Sequence, residues 1–383
     1  MNDFYIENTT NRGIRNVVHI ADLHFGAFDP KKQYEFLKIQ YLDRLCNVPY
    51  DVMVIDGDIF DHKCMSNSDI ALYASLFIND CINECKSKNA CLIIVSGTES
   101  HDAGQLKLFY HYLGDTSIQL EIVEDIKFVY THDMKILCIP EKYNMGRNYY
   151  LQYLVNSGEY DMCCLHGMVE GAVAGQESTD FDSLKSPLFN IHDFRQCRGP
   201  ILCGHVHIPG CYQSHIYYSG SPLRWAHGQE QDKGFLFVTM DLDTRKYYTH
   251  FSIIESYKYI TINFDMMLRE DPNIIINKVQ EMLNSGIHNL RLEFLKIPNE
   301  VEIDHLNIIK NYYRTNPSIK ILSDVVNASS YSNSKELENK MNEYSYIFDS
   351  NLNQYDVMTR YINQQKGYQY ITTEELLQIL KGE

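Results

Sequence analysis

The sequence contains no stretch approaching the roughly 18 uninterrupted apolar residues needed to cross a bilayer. Residues Met1 to Asn16 are polar and hold no apolar signal core. A soluble, unexported protein with no membrane partner is therefore expected. There is also no repeated CxxC pair. The 11 cysteines, an odd number, all lie between Cys46 and Cys211, which fits neither a disulfide framework nor a zinc ribbon. They read as reduced, mostly buried thiols of a cytoplasmic compartment, with Cys163 and Cys164 as small hydrophobes inside the run Met162 to Leu165. Basic residues are short as well: 34 Lys and Arg against 50 Asp and Glu leave a net charge of −16. That balance argues against long-range attraction of the whole molecule to nucleic acid, unless acidic residues gather cations where a phosphate must sit. Histidine is scarce in the last third, where only His288 and His305 of 15 remain after residue 250. Chemistry is expected before that point.

What is present suits a folded chain: 44% apolar and 22% charged residues over 383 positions support a core, and the length suggests two domains with a tail. Short apolar runs at Asn16 to Ala21, Val52 to Ile55, Cys91 to Ser96, Lys135 to Ile139, Met162 to Leu165 and Pro200 to Cys203 read as strands buried on both faces. Helical patterns at Lys31 to Cys46, Ser66 to Lys86 and Gln105 to Leu113 alternate with the early strands, so the class is α/β. The runs Ile216 to Ser219, Gly234 to Asp241 and Lys246 to Ile254, with no helices between them, read as a second, antiparallel sheet. From Tyr257 a separate βαβαβ pattern begins: strands Tyr257 to Phe264, Leu290 to Leu295 and Ser318 to Leu322, with helices Asn273 to Asn284 and Ile303 to Tyr313. Expected domains are thus 1–254, 255–325, an Asn/Ser-rich linker at 326–335, and a helical tail at 336–383. The tail's last helix opens with a capping box, Thr372 and Glu375, and carries the stripe Leu376, Leu377, Ile379, Leu380.

Five short polar clusters each follow one of the apolar strands: Asp22 to His24 (DLH), Asp56 to Asp61 (DGDIFD), Ser96 to Asp102 (SGTESHD), His166 with Gly167, and Gly204 to His207 (GHVH). Singly, DLH or GD is compatible with an ordinary turn. Together they supply carboxylates and imidazoles at the strand ends of an α/β sheet, where such groups are costly to bury unpaired. Carboxylate and imidazole donors without thiolate suit manganese, iron or zinc in a two-cation site, which can activate water and offset charge on a phosphoester's leaving oxygen.

In this order the clusters resemble the calcineurin-like metallophosphoesterase superfamily. With HIADLHFG at His19 to Gly26, GDIFD at Gly57 to Asp61, YSGSP at Tyr218 to Pro222 and KGF at Lys233 to Phe235, residues 15 to 250 are similar to nuclease subunits of the SbcD type, including virus-encoded branches. The resemblance implies a two-sheet sandwich flanked by helices, a smaller α+β capping domain and a helical tail. It implies a Mn²⁺-dependent 3′ to 5′ exonuclease on double-stranded DNA ends, with endonuclease action, in DNA repair, recombination and replication. Mg²⁺, Fe²⁺ or Zn²⁺ are the other cations considered. Implied partners are an SMC-like ATPase of the SbcC type, docked by the tail, and a second copy of the chain through helices near Ser66 to Lys86 and Gln105 to Leu113. In a virus-encoded branch the compartment would be the host cytoplasm.

Residue by residue, the resemblance implies Asp22, His24, Asp58 and His207 around one cation, and Asp58, His166 and His205 around the other. His101 would stabilise the pentavalent state or protonate the leaving oxygen, with Asp102 holding its ring. Where the family has GNHD, this chain has Gly97, Thr98, Glu99, Ser100, His101, Asp102. Ser100, Thr98 or Glu99 then replaces the asparagine, or the second cation binds loosely; Ser100 is the expectation. Arg224 and Trp225 after YSGSP are candidate DNA contacts, or close the sheet edge. Tyr149, Tyr150 and Tyr153 can stack on bases, but helix packing is the simpler account. Two other readings stay open: a small-molecule phosphatase or cyclic-nucleotide phosphodiesterase, and a catalytically weak scaffold that binds DNA and a partner.

Overall fold

The computed structural model describes residues 13–145, 147–156, 158–172, 188–224, 227–229, 231–263, 271–284, 289–297, 300–325, 357–359, 363, 372–375 and 378. The chain divides into two compact units, residues 1–261 with 281–291, and residues 262–280 with 292–383.

The first unit is built on two large mixed sheets. One contains β1 (Ile14–Ile20), β2 (Val52–Asp56), β3 (Cys91–Val95) and β4 (Leu120–Val123), joined by β13 (Lys233–Asp241) and β14 (Lys246–Ile254), in the order β14, β13, β1, β2, β3, β4. The other contains β5 (Lys127–Thr131), β6 (Met134–Ile139), β7 (Met162–His166), β10 (Ile201–Gly204), β11 (Gly210–Tyr212) and β12 (Ile216–Tyr218), in the order β11, β12, β10, β7, β6, β5. Two short strands, β8 (Met168–Val169) and β9 (Leu188–Phe189), pair in parallel beside them.

The period-2 alternation of the strands explains the layers. Val17, Val52, Val54, Ile93 and Val95 from the first sheet pack against Ile136, Cys138, Met162, Cys164 and Leu202 of the second. Their neighbours in sequence, Val18, Met53, Ile55, Leu92 and Ile94, face the other way and bury helix residues Leu37, Tyr41, Phe77 and Ile78. On the far side of the second sheet Leu137, Cys163, Leu165 and Cys203 cover Tyr150 and Leu154. The covering helices are α1 (Pro30–Leu37), which continues through a π-turn at Lys38–Leu42 into α2 (Asp43–Leu45), then α3 (Asp69–Lys88) and α4 (Arg147–Asn156). Ser68 caps α3 by accepting from Ala71 N–H, and Asn89 ends it in the left-handed conformation at φ 55°. The expected helix at Gln105 to Leu113 is a 3₁₀ segment, Leu106–Tyr112.

One sequence expectation is corrected. The runs after residue 215 do not make a sheet of their own: β12 pairs in parallel with β10, whereas β13 runs antiparallel to β1, from Ile14↔Asp241 to His19↔Leu236. An apolar run reports burial, not a partner. β13 is buried along nearly its whole length and lies inside the first sheet, while β14 alternates exposed with half-buried residues over most of its length and forms its edge. The 11 cysteines are unpaired, with seven buried, Cys163 and Cys164 among them. No helix among the described residues is long and apolar enough to cross a membrane.

Beyond β14 come β15 (Tyr259–Asn263), α5 (Pro272–Asn284), β16 (Asn289–Ile297), α6 (Glu300–Tyr313) and β17 (Ile319–Val325), with a sheet order β15, β16, β17. This is the βαβαβ succession read from the sequence. In the second unit Ile275, Ile276, Val279, Leu292, Phe294, Leu306 and Ile309 are buried together with Tyr313, whose hydroxyl donates to the Ile276 carbonyl at 3.0 Å. The linker 326–335, most of the tail at 336–383, its apolar stripe and Trp225 lie outside the described residues. Thr372 and Glu375 are described and form the reciprocal capping pair, with the Thr372 N–H 2.7 Å from Glu375 Oε2 and the Glu375 N–H 3.2 Å from Thr372 Oγ1.

Candidate metal centre

The carboxyl ends of β1, β2, β3, β6, β7 and β10 each deliver one of the polar clusters or their equivalent. β1, β2 and β3 are parallel neighbours in one sheet, and β6, β7 and β10 in the other. The same end of each is therefore presented, and residues far apart in sequence converge there. Backbone bonds lock the loops together: Asp22 N–H donates to Gly57 O at 3.1 Å, His24 N–H to Asp58 O at 2.9 Å, and His205 N–H to Asp22 Oδ1 at 2.8 Å.

Four of the converging residues are held at positive φ: Asp22 at 53°, His24 at 49°, Asp58 at 49° and His205 at 87°. Non-glycine residues avoid this region, and each such conformation costs about 1–3 kcal/mol, so a cluster of four is a mark of a functional site. Glycine occupies the tightest points. A Cβ on Gly57 would lie 2.0 Å from His166 Nδ1, and one on Gly204 would lie 2.1 Å from the Asp56 carbonyl oxygen.

The donors fall into overlapping groups that can hold a metal ion: Asp22, His24 and His207; His24, Asp58 and His101; and Asp58, His166 and His205. His24 Nε2 lies 3.0 Å from His207 Nε2 and 3.7 Å from Asp58 Oδ2, and His166 Nε2 lies 3.3 Å from the same Asp58 oxygen. Adjacent ligands held about 2.1 Å from one ion sit roughly 3.0 to 3.4 Å apart in octahedral or tetrahedral geometry, so the 3.0 and 3.3 Å spacings suit cations. Asp22 Oδ2 is buried and has no hydrogen-bond partner among the described residues, as an oxygen reserved for a cation would be.

Supporting bonds fix the donors' direction. His166 Nδ1 donates to the Asp56 carbonyl at 2.7 Å, which leaves Nε2 aimed at Asp58. Buried Gln33 donates to the Leu23 carbonyl inside the DLH loop. The YSGSP and KGF motifs act from behind: Tyr218 hydroxyl donates to Gly167 O at 2.9 Å, and buried Lys233 Nζ donates to His207 O at 3.0 Å and Ser221 Oγ at 2.8 Å.

Two expectations about single residues are corrected. Ser100 is exposed, its hydroxyl 3.5 Å from that of Tyr143, because the turn after Gly97 carries it out of the cleft. Thr98 points in instead, its Oγ1 at 3.1 Å from Asp58 Oδ2 and 3.5 Å from both His166 Nε2 and His205 Nδ1. Asp102 does not hold the His101 ring. Its two oxygens accept from Phe60 N–H at 3.2 Å and Gly97 N–H at 2.9 Å, so it ties the β2 loop to the β3 loop. His101 Nδ1 donates to the Asp61 carbonyl, and its ring meets that of His24 edge to face at 4.9 Å. Arg224 Nη2 donates to the Gln231 carbonyl at 2.6 Å, and its backbone N–H to Ser256 Oγ at 2.8 Å. Tyr150 is buried and packs edge to face on Phe189 and Tyr149.

Two participants have no role in the sequence reading, Asp61 because its motif is read through Asp58 and Glu141 because it lies in none of the clusters. Asp61 pairs with His24 Nδ1 at 3.6 Å and His62 Nδ1 at 3.0 Å. Glu141, 4% exposed, places Oε2 at 3.0 Å from Thr98 Oγ1 and 3.1 Å from His205 Nδ1. Glu141 stands one proline beyond β6, so the rule that selected the other clusters, a polar residue just past a buried strand, would have found it.

The electrostatics favour positive charge in the cleft. Burial opposes protonation of His166, yet Asp58, Asp22 and Glu141 hold its pKa well above the ordinary 6.5. Burial likewise opposes protonation of His24 and His205, and the carboxylates of Asp61, Asp58 and Asp22 for the first, and of Glu141 and Asp58 for the second, raise both. Burial resists ionisation of Asp58, but His166, His101 and His24 pull it well below 3.8. Burial and then the Asp58 charge push Asp102 up to about 7.

A cation must displace the imidazole protons, so affinity for a divalent metal ion should rise with pH and binding should release protons. Calorimetry in two buffers of different ionisation enthalpy tests this, and a buffer-independent heat would count against it. The stability of the metal-free chain should run the other way. His24, His166 and His205 have raised folded values, so their contribution is present below pH 6.5 and is lost as pH climbs through those values. Asp102 adds the same sign between 3.8 and about 7. Asp58, with its lowered value, contributes above 3.8 and loses that contribution only as pH falls further. The metal-free melting temperature should therefore drop from weakly acid to weakly alkaline pH, and a bound divalent cation should reverse the trend.

No protein-family model and no curated protein matches the chain. Among solved structures it is similar to a hypothetical protein from Pyrococcus horikoshii OT3, at 13% identity over 70% of this chain and 93% of that one, with a TM-score of 0.28. It is also similar to the cold-active protein-tyrosine phosphatase of a psychrophilic Shewanella species, at 12% identity over 62% of this chain and 80% of that one, with a TM-score of 0.27. Likenesses at this level decide neither family nor activity.

Proposed function

We propose that the chain is a two-metal phosphodiesterase of the calcineurin-like type, and that its substrate is DNA, as in the SbcD-type nucleases its motifs resemble. The observation that carries the reading is Asp58, a single buried carboxylate whose Oδ2 lies 3.7 Å from His24 Nε2 and 3.3 Å from His166 Nε2. Such a residue can be shared by two ions, with Asp22, His24 and His207 completing one set and His166 and His205 the other. Two divalent ions, when bound, would supply positive charge opposite the phosphodiester and its leaving oxygen and make water nucleophilic near neutral pH.

The chain's own residues do the rest. His101, partly exposed and fixed by the Asp61 carbonyl, stands beside His24 at the open side, where it can donate a proton to the departing oxygen. Asp102 keeps the Gly97 turn against the β2 loop, so that Thr98 N–H stays 2.7 Å from Asp58 Oδ1. A net charge of −16 leaves DNA attraction to the bound cations, to local basic residues or to a partner. In this reading the second copy and the SMC-like ATPase are the proposed partners, and manganese the proposed cation.

The test is degradation of end-labelled duplex DNA by the purified chain with Mn²⁺, with and without the ATPase. His101→Ala should lower kcat by on the order of 10²- to 10⁴-fold while leaving metal stoichiometry unchanged. Release of phosphate from small monoesters or opening of cyclic nucleotides, with duplex DNA untouched, would replace the nuclease reading by a small-molecule phosphoesterase. Metal binding and DNA binding with neither activity would leave a scaffold.

A further inference from the structure

We infer that Glu141 is a protein ligand of the second cation, with Thr98 as the residue that positions it. This rests on the two-metal reading above. Beside Asp58, His166 and His205 lie two further oxygens, one from Thr98 of the SGTESHD cluster and one, from Glu141, that no motif supplies. Glu141 Oε2 lies 3.1 Å from His205 Nδ1, 3.7 Å from His166 Nε2 and 3.0 Å from Thr98 Oγ1. Thr98 Oγ1 in turn lies 3.1 Å from Asp58 Oδ2. The three spacings of 3.0 to 3.1 Å are those of neighbouring donors around one ion, for which ligand distances of about 2.1 Å give edges of roughly 3.0 to 3.4 Å.

Burial strengthens the argument. Glu141 is 4% exposed and Asp58 2% exposed, and two carboxylates that share one threonine hydroxyl out of water need positive charge beside them. A divalent cation bound there supplies it. Thr98 has one hydroxyl proton for two carboxylates, so it aligns one of them while its backbone N–H anchors Asp58 Oδ1 at 2.7 Å. The pocket also joins the two sheets, since Asp58 and Thr98 follow strands of the first and Glu141, His166 and His205 those of the second.

The consequence is a second pocket with two carboxylates and two imidazoles. Its charge and oxygen content favour Mn²⁺ over softer cations, and the exposed Ser100 is not needed as a ligand. The sequence lacks an asparagine between Gly97 and His101, and on this account the site is complete without one.

Manganese titration followed by the free-ion EPR signal tests the inference on the full-length chain. Wild type should bind about two ions. Glu141→Ala and the isosteric Glu141→Gln should each weaken one ion by on the order of 100-fold or more and leave the other unchanged. Asp22→Ala should weaken the other ion, and Thr98→Val should weaken the Glu141-dependent ion by about tenfold. Melting of each metal-free variant reports folding, and Glu141→Gln preserves shape if the alanine variant does not fold. Two ions bound with wild-type affinity in both Glu141 variants would overturn the inference while leaving the two-metal reading intact. A wild-type chain that binds no manganese would overturn both.

Discussion

Asp58→Asn should lose phosphodiester hydrolysis by on the order of 10³-fold, a loss of several kcal/mol of transition-state stabilisation, and should bind one manganese ion or none. The substitution keeps the shape of the side chain and replaces one donor oxygen by an amide nitrogen with no free lone pair. Whichever atom faces the cleft, the position between His24 and His166 can no longer serve two cations. The bond from Thr98 N–H to Asp58 Oδ1, at 2.7 Å, favours the amide oxygen there, which turns the nitrogen toward the pocket. Hydrolysis of bis(p-nitrophenyl) phosphate and of labelled duplex DNA, with a parallel manganese titration, checks this. Wild-type turnover and two ions in the variant would show that Asp58 is not the shared ligand.

Gly57→Ala should destabilise the protein by about 2–5 kcal/mol and abolish metal binding as well. Gly57 has φ +80°, and an added Cβ would meet His166 Nδ1 at 2.0 Å and Gly97 Cα at 2.7 Å. His166 cannot move aside without losing its bond to the Asp56 carbonyl at 2.7 Å, which sets the ring's direction. Gly104 provides the control: φ is +75°, but nothing lies within 4 Å of an added Cβ, so Gly104→Ala should lose only the backbone contribution of about 1–2 kcal/mol. Thermal or urea unfolding of the two variants compares them. Equal losses would mean that crowding around His166 is not what glycine prevents at position 57.

The convergence at the strand ends was legible because it rests on two signals that a sequence carries openly. Apolar β-branched runs announce strands buried on both faces, and a charged residue straight after such a run cannot be absorbed by the core. Asp22, Asp58, His166, His205 and His207 all stand in that position. What stayed hidden depends on partners. Nothing in Lys233 to Asp241 says that it pairs with β1 and not with Ile216 to Tyr218, since pairing follows the register of backbone bonds. The strand Leu120–Val123 is half-buried along most of its length and lacks a strong period, so it passes as a loop. Side-chain direction within a turn was equally out of reach. Thr98 and Ser100 are near equivalents on paper, and only the turn that puts His101 N–H and Asp102 N–H on the Thr98 carbonyl, each at 2.9 Å, decides which faces the cleft. For the same reason the part expected of Asp102, holding the His101 ring, falls to the Asp61 carbonyl.

The most direct measurement is anomalous diffraction at the manganese edge from crystals of the chain soaked in Mn²⁺. The account predicts two peaks about 3.5 to 4 Å apart, with Asp58 between them, one against Asp22, His24 and His207 and the other against His166 and His205. Manganese peaks confined to the outer surface, with none beside Asp58, would contradict it.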